Sequence, residues 1–228
     1  MKLSALESQA REAIAAYLAA DTSACFTCSF QAEGMVLLHL LRERQPSIPV
    51  LFLETGYHFA EVYRYRDEMT ARYNLNLVNV MPAQTVAQQE AQFGILHQSQ
   101  PDRCCQLRKV GPLFAALENY DVWFTGLRRA QSPTRANLQV ADRFPLPSGK
   151  QLLKISPLAD WSDKQVWTFA REHNIPLLPL YDAGYTSIGC QPCTALPVDP
   201  GNARSGRWAG RKLECGIHIA VADIAMAR

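Results

Sequence analysis

The stretch "SACFTCSFQAEGMVLLHLLRERQPSIPVLFLET" (residues 23–55) decides the fold. Its opening "SACFTCSF" (23–30) is a short apolar run of the kind that forms a buried strand. The polar "QAEG" (31–34) reads as a turn, and "MVLLHLLRERQ" (35–45) as an apolar helix with a charged end. "IPVLFLET" (48–55) is a second strand, closed by Gly56. Strand, helix, strand in that order predicts a parallel pair joined by a crossover helix. The same alternation continues outward. "HFAEVYRYRDEMTARY" (58–73) is helical, while "LNLVNVMP" (75–82), "DVWFTGL" (121–127) and "QLLKISPL" (151–158) are strand-like. "SDKQVWTFAREHN" (162–174) is a helix capped by Ser162 or Asp163. Upstream, Leu3, Leu6, Ala10, Ile14 and Tyr17 recur at helical spacing. The expectation is an α/β fold with a mainly parallel sheet flanked by helices, binding its ligand at the carboxyl ends of the strands. "SFQAEG", "LETGYHF" and "TGLRRAQSPTRA" all fall there.

The 228 residues are 48% hydrophobic and 19% charged, enough apolar sequence for one sizeable core. A net charge of +2 gives no global reason to expect a nucleic-acid or membrane-surface partner. No run approaches the roughly 18 apolar residues of a membrane span, and Glu7, Arg11 and Glu12 interrupt the first helix, unlike a signal peptide. A cytoplasmic protein is expected. Assembly into a homo-oligomer is compatible with the sequence and not specified by it. From residue 184 Gly and Pro become frequent and the periodicity disappears. The division expected is an α/β ligand-binding unit over 1–183 and a loop-rich segment over 184–228, folding over the sheet's ligand edge and mobile beyond the CxxC.

Seven cysteines in a reducing compartment point to metal binding or redox chemistry rather than structural disulfides. "CC" at 104–105 and "CQPC" at 190–193 offer four thiols. Neighbouring side chains on a helix diverge by about 100°, which suits a multi-metal core with a corner per thiolate better than one small ion. Four thiolates meet the requirement of a [4Fe–4S] cluster; a zinc ion, or buried thiols without metal, are the alternatives. "SFQAEG" could hold a phosphate at a helix N-terminus but lacks a Walker pattern. Arg128, Arg129 and Arg135 bring three guanidinium forks suited to phosphate or sulfate oxygens. In the tail, Arg204, Arg207, Arg211, Lys212 and His218 surround Cys215. Cations favour the thiolate and neutralise an anionic substrate that it must approach, so Cys215 reads as a nucleophile rather than a ligand, with an exposed basic tail carrying an incidental cysteine as the alternative. Cys25 and Cys28 read as inert buried thiols.

"SFQAEGMVLL", "LETGYHFAEVYRYRD", "CCQLRKV", "TGLRRAQSPTRA", "WSDKQVWTFAREHNIPLLPLYDAGYTSIGCQPCT" and the closing "ECGIH" together resemble the assimilatory adenylyl-sulfate reductases. These are the iron–sulfur branch of the adenylyl-sulfate/phosphoadenylyl-sulfate reductase family. The resemblance runs from about residue 24 to 218 in family order. It implies a PP-loop, Rossmann-like adenine-nucleotide domain and one [4Fe–4S] cluster on Cys104, Cys105, Cys190 and Cys193. It also implies that Cys215 attacks the sulfur of adenylyl sulfate and expels AMP. Thioredoxin or glutaredoxin would then release sulfite from the S-sulfonate. Lys109, Arg204, Arg207 and His218 would clamp the phosphosulfate. Cys28, Ser29, Phe30, Glu33, Leu53, Gly126, Arg128 and Arg135 would form the nucleotide pocket. Phosphoadenylyl sulfate is the alternative substrate, and needs an extra cationic pocket for its 3′-phosphate. An ATP-dependent tRNA-thiolating PP-loop enzyme would want a full SGGxDS-type loop. An iron–sulfur regulatory protein would have no use for a basic, His-flanked Cys215.

Overall fold

The computed structural model describes residues 2–18, 22–199, 201–212 and 214–218. The last ten positions of the expected tail therefore lie outside the described residues. Helix α1 (Leu3–Tyr17) buries Leu6, Ala10 and Ile14, three of the five positions its periodicity selects. Strand β1 (Ala24–Thr27), helix α2 (Ala32–Arg44) and strand β2 (Val50–Leu53) make the crossover unit of the deciding stretch. Helix α3 (Ala60–Tyr73) leads to β3 (Leu77–Val80). Four short helical pieces follow: α4 (Val86–Phe93), α5 (Leu96–Ser99), α6 (Pro101–Cys105) and, after one π turn (Gln106–Val110), α7 (Gly111–Leu117). Strands β4 (Val122–Thr125), β5 (Ala141–Pro145) and β6 (Gln151–Ile155) complete the sheet, and α8 (Asp163–Glu172) packs on α2.

The sheet order is β3-β2-β1-β4-β6-β5. All pairs are parallel except β5 with β6. The order reverses between β1 and β4, and a crevice opens outside the strand ends at such a switch point. One apolar layer, with Leu6, Phe26, Leu37, Phe124 and Phe169, covers the α1/α2/α8 side. The other, with Leu51, Leu113, Phe114, Trp123 and Phe144, covers the α7 side.

Three readings are corrected by the structure. "QAEG" is not a turn between elements. Gln31 is the N-cap and residues 32–34 are already helical, with the Met35 amide donating to the Gln31 carbonyl at 2.9 Å. A side chain at Gly34 would stand 3.2 Å from Cys28 Sγ, so this first turn sits directly on the strand end. Strand β1 stops at Thr27 rather than Phe30, whose φ of +58° breaks the extended run. Finally, 141–145 is an edge strand that sequence reading missed. "ADRFP" carries two charges and a proline, tolerated only because one side of the strand is unpaired. Ser162, with Gln165, caps α8 through a capping box, as the sequence leads one to expect.

The π turn has a local cause. Pro112 has no amide hydrogen to donate back along the helix, and the Gly111 amide instead reaches the carbonyl of Gln106, five residues earlier. The widened turn carries Arg108 and Lys109 immediately after the cysteine pair.

Candidate active site

The crevice at the switch point is a cavity of about 920 Å³, within the range of small-molecule sites. Cys28, Ser29 and Glu33 reach it from the β1–α2 turn, Leu53 from the end of β2, and Gly126 and Arg128 from the end of β4. Arg135 comes from the following loop and Lys109 from the π turn. Arg204, Arg207, Cys215 and His218 enter from the C-terminal segment. Every substrate-binding candidate therefore faces one space except Phe30. The Phe30 ring is fully buried, edge-on to Phe52 and Tyr65, and belongs to the core. Its amide donates to Cys28 Sγ at 3.3 Å, and burial pushes the Cys28 thiol up to about 12.

The N-terminus of α2 is less open to anions than its position suggests. The Ala32 amide donates to the Tyr181 hydroxyl at 2.9 Å, and Glu33 puts a carboxylate in the first turn. Gln131 holds that carboxylate at 2.7 Å and also accepts from Arg135. Negative charge on a ligand is thus better met by the cations of the cavity wall, Lys109, Arg204 and Arg207, than by the helix N-terminus.

A second, small cavity lies behind this wall. Cys104, Cys105, Cys190 and Cys193 all line it, with Tyr57, Arg108, Lys109 and Trp208. Burial, and then the facing thiols of Cys105, Cys190 and Cys193, push Cys104 up to about 11. Among the described residues no three His, Cys, Asp or Glu side chains converge as they would on a single ion. Lys109 and Trp208 line both cavities and form the partition between them. Burial alone would lower Lys109, but Cys190, Cys215 and Cys105 around it raise it overall. Arg207 ties the two sides mechanically: its Nε donates to the Cys193 carbonyl at 3.3 Å, and its guanidinium fills the space a side chain at Gly189 would need.

Trp208 was not singled out by sequence reading, yet Arg204, Arg207 and Lys212 all stand over its ring, at 5.7, 4.4 and 5.2 Å. Its φ of +49° is rare for an aromatic residue and persists only where the surroundings dictate it. Glu214 and Lys154 were also missed. An acidic residue beside a cysteine, and a lysine inside a strand, carry no sequence signal of their own.

His218 lies flat on Trp123, with ring centroids 5.4 Å apart and planes at 19°. Burial, reinforced by Lys154, Arg135 and Arg204, holds its pKa well below 6.5. The ring is therefore neutral at pH 7, not one of the cations of the pocket. A released His218 returns to the ordinary value near 6.5, so the docked tail binds fewer protons than the free one. Docking is then strongest above pH 6.5 and weakens as the pH falls below it. The His218 imidazole resonances in NMR should titrate with a midpoint below 6.5; a midpoint at or above that value would contradict this placement.

Among the described residues no helix is long and apolar enough to cross a membrane. Residues 23–196 match the model of the phosphoadenosine phosphosulfate reductase domain. An adenosine 5′-phosphosulfate reductase of Rhodococcus opacus (strain B4) is 46% identical over 195 residues, 85% of this chain and 78% of that one. One from Bacillus cytotoxicus is 43% identical over 210 residues, covering 89% and 87%. The phosphoadenylyl-sulfate reductase of Candida auris, solved as a phosphate complex, shares the fold with a TM-score of 0.69 at 24% identity, over 85% of this chain and 96% of that one. With the domain spanning most of the sequence and the cavity built from its strand ends, the chain belongs to the phosphoadenosine phosphosulfate reductase family.

Proposed function

We propose that the protein is an oxidoreductase of sulfate assimilation that converts adenosine 5′-phosphosulfate to sulfite and AMP in the cytoplasm. One observation carries the reading: Cys215 opens into the same cavity as Lys109, Arg204 and Arg207. The Cys215 thiolate forms a bond to the sulfate sulfur while the sulfur–oxygen bond to the phosphate breaks. The bonding pair leaves with AMP, and the enzyme keeps a Cys–S–SO₃⁻ group. A dithiol reductant, thioredoxin or glutaredoxin, then supplies two electrons. One of its thiols attacks Cys215 Sγ, sulfite departs, and the resulting mixed disulfide resolves to free Cys215 and oxidised reductant. Charge builds on the AMP phosphate as the bond breaks, and fixed cations at that place stabilise it without reorganisation.

The donor set of the second cavity fits a [4Fe–4S] cluster: four cysteine thiols around one space, with lysine and arginine as neighbours rather than carboxylates. Cys104, Cys105, Cys190 and Cys193 would hold it. When bound, the cluster shapes the site and its electric field, since the reductant supplies both electrons.

Phosphoadenylyl sulfate is the second reading, and the arginines next to β4 disfavour it. Arg128 is buried, paired with Asp163 and donating to the Trp161 carbonyl at 3.2 Å. Arg129 is paired with Asp160 and donates to the Leu138 carbonyl at 2.7 Å. Both charges are already met by carboxylates. Anaerobic purification should give about four irons and four sulfides per chain. Turnover should then favour the unphosphorylated nucleotide by at least about tenfold in kcat/KM, a discrimination that one unmet phosphate charge can supply. Equal or better turnover of the 3′-phosphorylated nucleotide would reverse the substrate assignment.

A further inference from the structure

Cys215 belongs to a short run, 214–218, that is fastened on both sides. On the N-terminal side, Arg135 grips the Glu214 carboxylate with both arms, Nε to Oε1 at 2.9 Å and Nη2 to Oε2 at 2.7 Å. The Thr134 hydroxyl adds a bond at 3.0 Å, and Arg204 stands 3.5 Å away. Burial works against the charge, but these partners hold Glu214 below the ordinary carboxylate range. On the C-terminal side, Lys154 of β6 donates its ammonium to the His218 carbonyl at 3.2 Å. The Lys154 ammonium also lies over the rings of Trp123 and Phe144, at 5.6 and 5.0 Å. Between the two fastenings, Gly216 turns the chain with φ +99°, and Ile217 packs against the apolar layer of Trp123 and Phe144.

Lys154 is the unusual member. It is 8% exposed inside a sheet, where a charge is normally avoided. Burial lowers it to about 8; Asp142 of β5 and Glu214 pull it up, and Arg135 pushes it down. It does not line the cavity. Its hydrogen bond goes to the tail instead. The cavity has its volume of about 920 Å³ with the fastened tail forming part of its wall.

We propose that Glu214 and Lys154 are positioning residues, a two-sided clasp that holds the tail over the cavity and fixes where the Cys215 thiol meets the substrate. The inference rests on the proposed role of Cys215 only for its kinetic consequence; the fastening itself is independent of the reaction. A nucleophile on a chain anchored at one end samples many places, and one anchored at both ends is confined close to the reacting sulfur.

The test compares wild type with Glu214→Gln and Lys154→Met in the full chain. Alkylation of Cys215 by iodoacetamide, read by peptide mass spectrometry, should be at least about threefold faster in both variants, because the tail opens more often. Electrostatics alone predicts opposite signs, since losing a carboxylate favours a thiolate and losing an ammonium disfavours it. A common acceleration therefore marks release of the tail. Without reductant, S-sulfonation of Cys215 by adenosine 5′-phosphosulfate, read by intact mass, should slow about tenfold in each, a loss of positioning. AMP affinity within about twofold of wild type verifies an intact cavity for Lys154→Met, whose side chain is outside the lining and reaches it through the His218 carbonyl. If that variant does not fold, Thr134→Val removes one hydrogen bond to Glu214 and should show the same two shifts, smaller. Unchanged alkylation and S-sulfonation in variants that bind AMP would overturn the clasp. Failure of wild type to acquire any S-sulfonate would overturn the reading of Cys215, while the alkylation comparison would still decide the clasp.

Discussion

Replacing Cys215 with serine should abolish sulfite formation and S-sulfonation, a loss of roughly 10⁴-fold or more, as for removal of a covalent nucleophile. Serine keeps the shape and much of the hydrogen bonding of cysteine. It lacks a readily formed, polarisable anion at neutral pH, so the first displacement has nothing to drive it. No other thiol is placed to substitute. Cys25 is fully buried in the layer beneath β1, and burial pushes its thiol far up. Cys28 faces the cavity but is buried behind the Phe30 amide, at about 12. Cys104, Cys105, Cys190 and Cys193 open into the other cavity. The variant should keep AMP affinity and the visible absorbance near about 400 nm expected of Fe–S thiolate bonding. Loss of that absorbance together with activity would make Cys215 a ligand, and the division between four binding thiols and one reacting thiol would collapse.

The grouping of the thiols, four lining one cavity and Cys215 the other, was readable from sequence because it rests on counting and on local charge: a pair, a CxxC and a lone cysteine among arginines. The parallel sheet was readable for a similar reason. Strands β1, β2 and β4 are uninterrupted apolar runs, and period and length separate them from helices. What the sequence did not disclose depends on contacts between distant positions. Glu214 means something only once Arg135, 79 residues earlier, is placed beside it. Lys154 looks like a solvent-facing strand residue until His218 closes over it. The charge state of His218 depends on distant contacts in the same way. A histidine among arginines suggests an extra cation, but stacking on Trp123 and burial keep it neutral. The strand at 141–145 was hidden by its charges, which an edge position allows and a central one would not.

Replacing Lys109 with methionine should lower kcat/KM for adenosine 5′-phosphosulfate by about 10²–10³-fold, the loss of roughly 3–4 kcal/mol that one well-placed transition-state charge provides. Lys109 is the cation common to both cavities, raised by Cys190, Cys215 and Cys105 despite its burial. Methionine fills nearly the same volume, so the partition stays packed and only the charge is removed. The AMP phosphate gains charge as its bond to sulfur breaks, so the defect should fall mainly on the chemical step. AMP affinity should weaken by only a few-fold, because Arg204 and Arg207 still face the cavity. Lys109→Arg should not restore activity. The guanidinium is larger, and its planar fork needs several acceptors where the buried wall offers a compact slot. Iron content measured alongside separates the two sides of the wall. Retained iron with slow S-sulfonation would place the defect on the substrate side, as expected. Undiminished S-sulfonation in Lys109→Met would mean that the charge serves only the thiol cavity, and the anion-binding end of the pocket would then rest on Arg204 and Arg207 alone.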